Sequence, residues 1–249
     1  MKTRKRFGQH FLHDPGVLKR IVDAIDPARD DVVVEIGPGE GALTRPLLDR
    51  LAHLTVIEID RDLAASLARA FPPDRLTVIG ADVLEQDFSA FPPGLRVVGN
   101  LPYNISTPIL FRLARYADRL RDMHCMLQRE VVDRMIAAPS TPAYGRLSVM
   151  LQVRFTMAKR FNVSAGAFCP PPKVESAVVR LEPRAQRPDC DEALLERVVR
   201  EAFSARRKTL RNALPLPAAG LETLGLDPGL RPENLSPADY VRITRACAR

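Results

Sequence analysis

The sequence predicts an α/β fold: a doubly wound parallel sheet followed by a small, mostly helical C-terminal domain. Three observations predict it. Short apolar, β-branched runs at 32–36, 54–60, 76–80 and 95–98 alternate with helix-length segments. A glycine-rich turn follows the first run, as it does where a parallel strand feeds a helix beside a ligand. After Pro183 the strand signal stops and helix-forming sequence continues.

The elements follow in order. Asp14-Pro15 reads as an N-cap with proline at the first helical position, so a helix is expected over 15–25. Val32 to Ile36 suits a buried parallel strand. Helices over 43–51 and 61–70 separate it from strands at Leu54 to Asp60 and Leu76 to Gly80. Leu95 to Val98 is the fourth strand, a helix is expected over 107–116, and Met123 to Gln128 is the fifth strand. Helices over 130–137 and 144–152 and strands near 153–161 and 175–181 complete the first domain. The polar, proline-flanked run from Pro183 to Pro188 is the expected boundary. It divides a domain at 1–183, opened by a basic arm at 1–13, from a helical domain at 184–249.

Composition narrows the function. A chain of 249 residues, 46% hydrophobic, can bury a substantial core. Its formal charge of +7, carried mainly by arginine, fits a polyanionic partner. Cys125, Cys169, Cys190 and Cys247 lie far apart without metal-ligand spacing, so reduced thiols, a cytoplasmic location and no metal are expected. No apolar run approaches membrane-spanning length, so no membrane partner is expected. Nothing points to an obligate dimer, and a monomer is expected.

The chemistry lies at the strand ends. Gly37, Gly39 and Gly41 would let backbone approach a ligand closely. Their spacing departs from the dinucleotide pattern, and Glu35 before them would repel a pyrophosphate but suit a cationic ligand. Glu58 stands where an acid can bind ribose hydroxyls, and Asp82 where one can accept from an adenine amino group. Taken singly, each acid reads sooner as a solvated turn or a helix cap than as a ligand contact. Together they converge on one crevice. Asn100-Leu101-Pro102-Tyr103 then offers an amide acceptor, a backbone carbonyl and a stacking face for a flat, swung-out nitrogen heterocycle. Two acceptors on an exocyclic amine would free its lone pair for attack. Arg206, Arg207, Lys208 and Arg211 form a basic segment that reads either as phosphate contacts, with Arg4, Lys5 and Arg6 of the arm, or as a solvated helix end.

Those motifs resemble the S-adenosylmethionine-dependent ribosomal RNA adenine N6-dimethyltransferases. The likeness runs almost end to end. It includes Arg6 to Leu12, Glu35 to Gly41, Asn100 to Ser106, Phe168 to Ser176 and Phe203 to Asn212. It implies a Rossmann-like class I methyltransferase sheet and S-adenosylmethionine as cofactor. The implied reaction is N6,N6-dimethylation of two adjacent adenosines near the 3′ end of small-subunit (16S) rRNA, coupled to late subunit biogenesis. The resemblance places cofactor contacts on His10, Leu12, Gly37, Glu58, Asp82 and Asn100, to which the residues themselves add Glu35 and Gly39. It also stacks Phe168 on the target base opposite Tyr103. His10 stands where the family usually has asparagine, and its protonation is expected to weaken cofactor binding below about pH 6.5. Two alternatives stand beside this reading. A large-subunit rRNA dimethyltransferase would share the catalytic motif, though Phe168 to Val174 and Arg207 to Asn212 argue against it. A binding-only assembly factor is opposed by the intact Asn100 to Tyr103.

Overall fold

The computed structural model describes residues 10–186 and 190–248. Arg4, Lys5 and Arg6, expected to touch RNA, lie outside the described residues. The strands are β1 (Phe11–Leu12), β2 (Val33–Ile36), β3 (Leu54–Ile57), β4 (Leu76–Ile79), β5 (Leu95–Asn100), β6 (Leu120–Gln128), β7 (Phe155–Val163), β8 (Phe168–Cys169) and β9 (Ser176–Pro183). Between and after them run α1 (Pro15–Ile25), α2 (Thr44–Leu48), α3 (Arg61–Ala70), α4 (Ser106–Ala114), α5 (Arg129–Met135), α6 (Arg146–Gln152), α7 (Glu192–Ser204), α8 (Leu210–Ala213), α9 (Ala218–Thr223) and α10 (Pro237–Cys247).

Seven strands form one sheet in the order β4-β3-β2-β5-β6-β9-β7. Neighbours from β4 to β6 are parallel, and β9 joins β6 antiparallel. The winding reverses between β2 and β5, where a crevice opens at the carboxyl ends of the strands. The apolar runs did their expected work: Val34, Leu54, Val56, Val97 and Val98 are completely buried. Each such side chain contributes roughly 1.5–3 kcal/mol by leaving water. α1 starts as expected, with the Asp14 carboxylate accepting from Val17 N at 2.9 Å. Its carboxyl end is clamped by Arg96 of β5, which donates to Ile25 O at 2.6 Å and to both carboxylate oxygens of Asp122 at 2.8 Å. The same guanidinium reaches Asp31 at 2.7 Å. With Asp26 O, which accepts at 3.2 Å, five such bonds satisfy a buried cation set in an otherwise apolar run.

Two differences from the sequence reading matter. The antiparallel pair β1–β8, which joins Leu12 to Phe168 in register, has only two residues a side and leaves no periodic signal. The division into units also differs. Of the described residues, 10–132 and 157–183 form one compact unit, and 133–156 with the residues after 183 form the other. One crossing between the units falls after Pro183, and 133–156 belong with the helical unit. The reason is aromatic packing: Phe203 of α7 meets the rings of Tyr144 and Tyr240 at 6.2 and 5.9 Å. Both tyrosines are fully buried, and Tyr144 Oη donates to Leu235 O at 2.8 Å. Among the described residues, no helix is long and apolar enough to cross a membrane.

Candidate active site

A cavity of about 730 Å³ opens over the carboxyl ends of β2 to β6. The turn after β2 forms one wall. Gly39 adopts φ +58°, and a Cβ there would lie 2.9 Å from the Phe11 ring, so only glycine lets β1 close over the turn. Gly99 is fixed by a different constraint: its Cβ would stand 2.4 Å from Ile36 O of the neighbouring strand. Gly37, Gly39, Leu12 and His10 all line the cavity.

The acids are placed by the strand ends. Glu58 follows β3, is almost fully buried, and accepts from Gly39 N at 3.1 Å and Asp60 N at 2.9 Å. Burial raises its carboxyl above the ordinary range, against the pull of those N–H donors. Asp60 is spent as the N-cap of α3, accepting from Asp62 N and Leu63 N, which leaves Glu58 as the ligand-facing acid. Asp82 lines the cavity and accepts from Leu84 N at 2.9 Å, a bond that holds its loop. Glu35 lies deeper and accepts from Thr44 Oγ1 at 2.7 Å. Burial pushes the Glu35 carboxyl up to about 7; the Thr44 bond opposes the rise and the neighbouring Glu58 charge adds to it. Glu40 also lines the cavity, while no arginine or lysine among the described residues does. The site is thus prepared for positive charge.

Asn100 ends β5. Its Nδ2 donates to His10 O at 3.1 Å, which fixes the amide plane. Its Oδ1 is buried and has no hydrogen-bond partner among the described residues. An unpartnered buried acceptor costs about 1–3 kcal/mol, so a site that keeps one is built for an incoming donor. Leu101 is buried, and its N donates to Met126 O at 3.1 Å. Pro102 O accepts from Ile105 N at 3.2 Å, which turns the chain so that Tyr103 rims the cavity. The Tyr103 hydroxyl is 2.6 Å from Ser176 Oγ, and burial raises its pKa.

The structure corrects the expectation for Phe168. That ring is 2% exposed and lies in the apolar core with Leu12, Ile21 and Val178, so it does not face Tyr103. The ring that does is His10, stacked at 5.8 Å between centroids with planes 28° apart. Its Nδ1 lies 2.7 Å from Pro170 O and, since a carbonyl only accepts, carries the proton.

His124, which the sequence reading missed, also borders the cavity. It is buried beside Val98, both ring nitrogens lack hydrogen-bond partners among the described residues, and burial pushes its pKa down to about 4. Nothing in an isolated histidine within a strand signals such a position. In the sequence Ser176 only closes the Phe168 to Ser176 motif; its pairing with Tyr103 needs the fold.

The basic segment lies in the helical unit. Arg207, Lys208 and Arg211 are exposed. Arg206 differs: its Nε donates to Glu233 at 2.5 Å and its Nη2 to Pro142 O at 3.0 Å. An internal ion pair and a carbonyl thus occupy the guanidinium that was expected to meet phosphate.

A switch-point crevice with a glycine turn, strand-end acids and a free amide acceptor defines a class I methyltransferase. Over residues 1–249 the chain matches the model of the ribosomal RNA adenine dimethylase family, and it belongs to that family. It is therefore an S-adenosylmethionine-dependent enzyme that methylates adenine in ribosomal RNA. It is similar to the ribosomal RNA small subunit methyltransferase A of Aromatoleum aromaticum, with 58% identity covering 99% of this chain and 95% of that protein. The protein of the same name from Bordetella pertussis is 57% identical, covering 98% and 94%. Among solved structures, a dimethyladenosine transferase from Plasmodium falciparum superposes with a TM-score of 0.82 at 27% identity, covering 94% of this chain and 96% of that one. The 23S rRNA methyltransferase ErmE gives a TM-score of 0.69 at 29% identity, covering 96% and 100%.

Proposed function

We propose that this enzyme dimethylates N6 of two adjacent adenosines near the 3′ end of small-subunit rRNA, acting in the cytoplasm on the assembling subunit. The observation that carries the reading is Asn100 Oδ1, buried, fixed in orientation and unpartnered beside Tyr103. S-adenosylmethionine, when bound, supplies an electrophilic methyl on a sulfonium whose departure leaves a neutral thioether, so no strong base is required. Glu58 is the acid for its ribose, Asp82 for its adenine, and Glu35 lies deep in the same acidic cavity. Gly37, Gly39, Leu12 and His10 shape the remaining wall.

Asn100 Oδ1 accepts a hydrogen bond from one N6–H. Because Pro102 O already accepts from Ile105, the second acceptor is assigned to Leu101 O. Tyr103 supplies the stacking face, and its bond to Ser176 holds the ring. Two acceptors favour a pyramidal nitrogen and cost no reorganisation at the moment of attack. His10 covers the Tyr103 ring at a spacing too small to admit a base between them, so its displacement accompanies base entry. Arg207, Lys208 and Arg211 are assigned to phosphate contacts.

The test is to incubate the enzyme and labelled S-adenosylmethionine with unmethylated small subunits and to map products by mass spectrometry. Large subunits and duplex DNA run in parallel. Two neighbouring dimethyladenosines in small-subunit rRNA are expected. Methylation of large subunits alone would make this a large-subunit enzyme, and binding without transfer an assembly factor.

A further inference from the structure

The amino end of the sheet carries a second cleft, of about 610 Å³, between the turns that precede β2, β3 and β4. Arg29, Arg45, Arg50 and Arg75 line it, against one acid, Asp49. The three turns are tied to one another. Ala52 N donates to Arg29 O at 2.7 Å, and Leu54 N to Arg75 O at 3.0 Å. Arg75 is itself a rivet: Nε donates to Ala52 O at 2.9 Å, and Nη2 to Leu48 O and Leu51 O at 2.5 and 3.1 Å. Those bonds leave Nη1 without a partner among the described residues. Arg45 is held over the Phe71 ring, 4–6 Å being the usual cation–π range, with Cζ 5.1 Å from the centroid. Arg29 and Arg50 are exposed at the rim, and among the described residues Arg50 alone of the two meets an acid, Asp23, at 3.5 Å. Holding four arginines together against a single acid in the cleft costs self-repulsion. Arg75 and Arg45 are held by the frame itself, while Arg50 reaches Asp23 only at 3.5 Å between two exposed side chains, which leaves the two rim arginines open to a ligand.

We infer that this cleft is an anion site for the phosphodiester backbone of the RNA substrate, remote from the reacting base. The inference rests on the proposed action on a folded ribosomal particle. Arginine forks and a fixed frame suit phosphate oxygens, which they can meet bidentately. The four-residue strands alone separate the cleft from the cavity by about 13 Å. A single hairpin seated in the cavity would not span both ends of the sheet. A particle presenting several RNA helices would.

The decisive experiment compares wild type with Arg29→Glu/Arg50→Glu on two substrates, unmethylated small subunits and a short RNA hairpin carrying the target adenosines. Arg61→Glu/Arg69→Glu, exposed on α3 outside the cleft, controls for net charge. The cleft variant is expected to raise KM for subunits about tenfold and to reduce the magnitude of the salt slope of binding by about 1.5. Its kcat, cofactor Kd and hairpin kinetics should match wild type. Arg29→Gln/Arg50→Gln should give a smaller shift in the same direction. An unchanged subunit KM and salt slope would overturn the inference, as would an equal effect in the control pair. Failure of wild type to methylate small subunits would instead remove the functional reading on which the inference rests.

Discussion

The two ends of the parallel sheet are built on the same strands with opposite charge. At the carboxyl end Glu35, Glu40, Glu58 and Asp82 surround a cavity that no described arginine or lysine enters. At the amino end stand Arg29, Arg45, Arg50, Arg75 and Arg96, against Asp49 in the cleft and Asp31 and Asp122 on Arg96. The formal charge of +7 is therefore not spread evenly. Segregation lets one small unit attract a cationic cofactor and a polyanionic substrate without either site cancelling the other. It also means that arginines at the amino end serve two ends, one structural and one facing solvent.

Arg96 should break the structural half of that comparison. Its guanidinium is 3% exposed and holds Asp122, Asp31 and the last carbonyls of α1 at once. Both acids have their pKa lowered; burial opposes the shift, and bonds to Arg96 help drive it. Arg96→Ala leaves Asp122 buried and short of its main partner, a loss of about 3–5 kcal/mol. Urea unfolding would show it as a fall in midpoint at constant m-value. A change under about 1 kcal/mol would mean that Arg180, 3.4 Å from Asp122, takes over the pairing.

Asn100→Ala should break the carboxyl end with the fold intact. Removing a preorganised acceptor costs about 10²–10³ in kcat. Single-turnover transfer to small subunits at saturating cofactor measures it, with the unfolding midpoint as control. An unchanged rate would dismiss the grip on N6.

Glu35 tests the acidity of the cavity through pH. Its folded pKa is pushed up to about 7, so the folded state keeps a proton that the unfolded chain, with a value of 4.5, releases. Stability from this group is present below pH 4.5 and is lost as pH rises toward 7, by up to about 3 kcal/mol. Glu35→Gln keeps an acceptor for Thr44 Oγ1 and should flatten that fall. Parallel stability curves for the two proteins between pH 4.5 and 7 would contradict a raised carboxyl.

The carboxyl end was far more legible than the amino end. Glu58, Asp82 and Asn100 each close a hydrophobic run, so their place at the strand ends could be read from periodicity. Arg96 sits inside such a run, and only the register with Asp122 explains it. Arg29, Arg45, Arg50 and Arg75 span almost fifty positions and look like ordinary surface charge until β2, β3 and β4 align their turns. Phe168 was misplaced for a related reason. Its motif carries a strand of two residues whose partner, at Leu12, is more than 150 positions away. Short elements paired over long separations leave no local trace.

Tyr103 sharpens the picture at the smallest scale, because its ring and its hydroxyl have separate duties. The ring is the stacking face, while the hydroxyl meets Ser176 Oγ at 2.6 Å and anchors the ring to β9. A neutral hydrogen bond of this kind contributes about 0.5–1.5 kcal/mol. Tyr103→Phe should therefore slow transfer no more than about tenfold and leave cofactor Kd unchanged. Ser176→Ala should copy it, and the double variant should add little, since both remove one bond. Tyr103→Ala, which removes the face, should cost much more. If Tyr103→Phe proved as damaging as Tyr103→Ala, the hydroxyl rather than the ring would be what the substrate needs. The neutral, acceptor-based account of the carboxyl end would then have to include a donor.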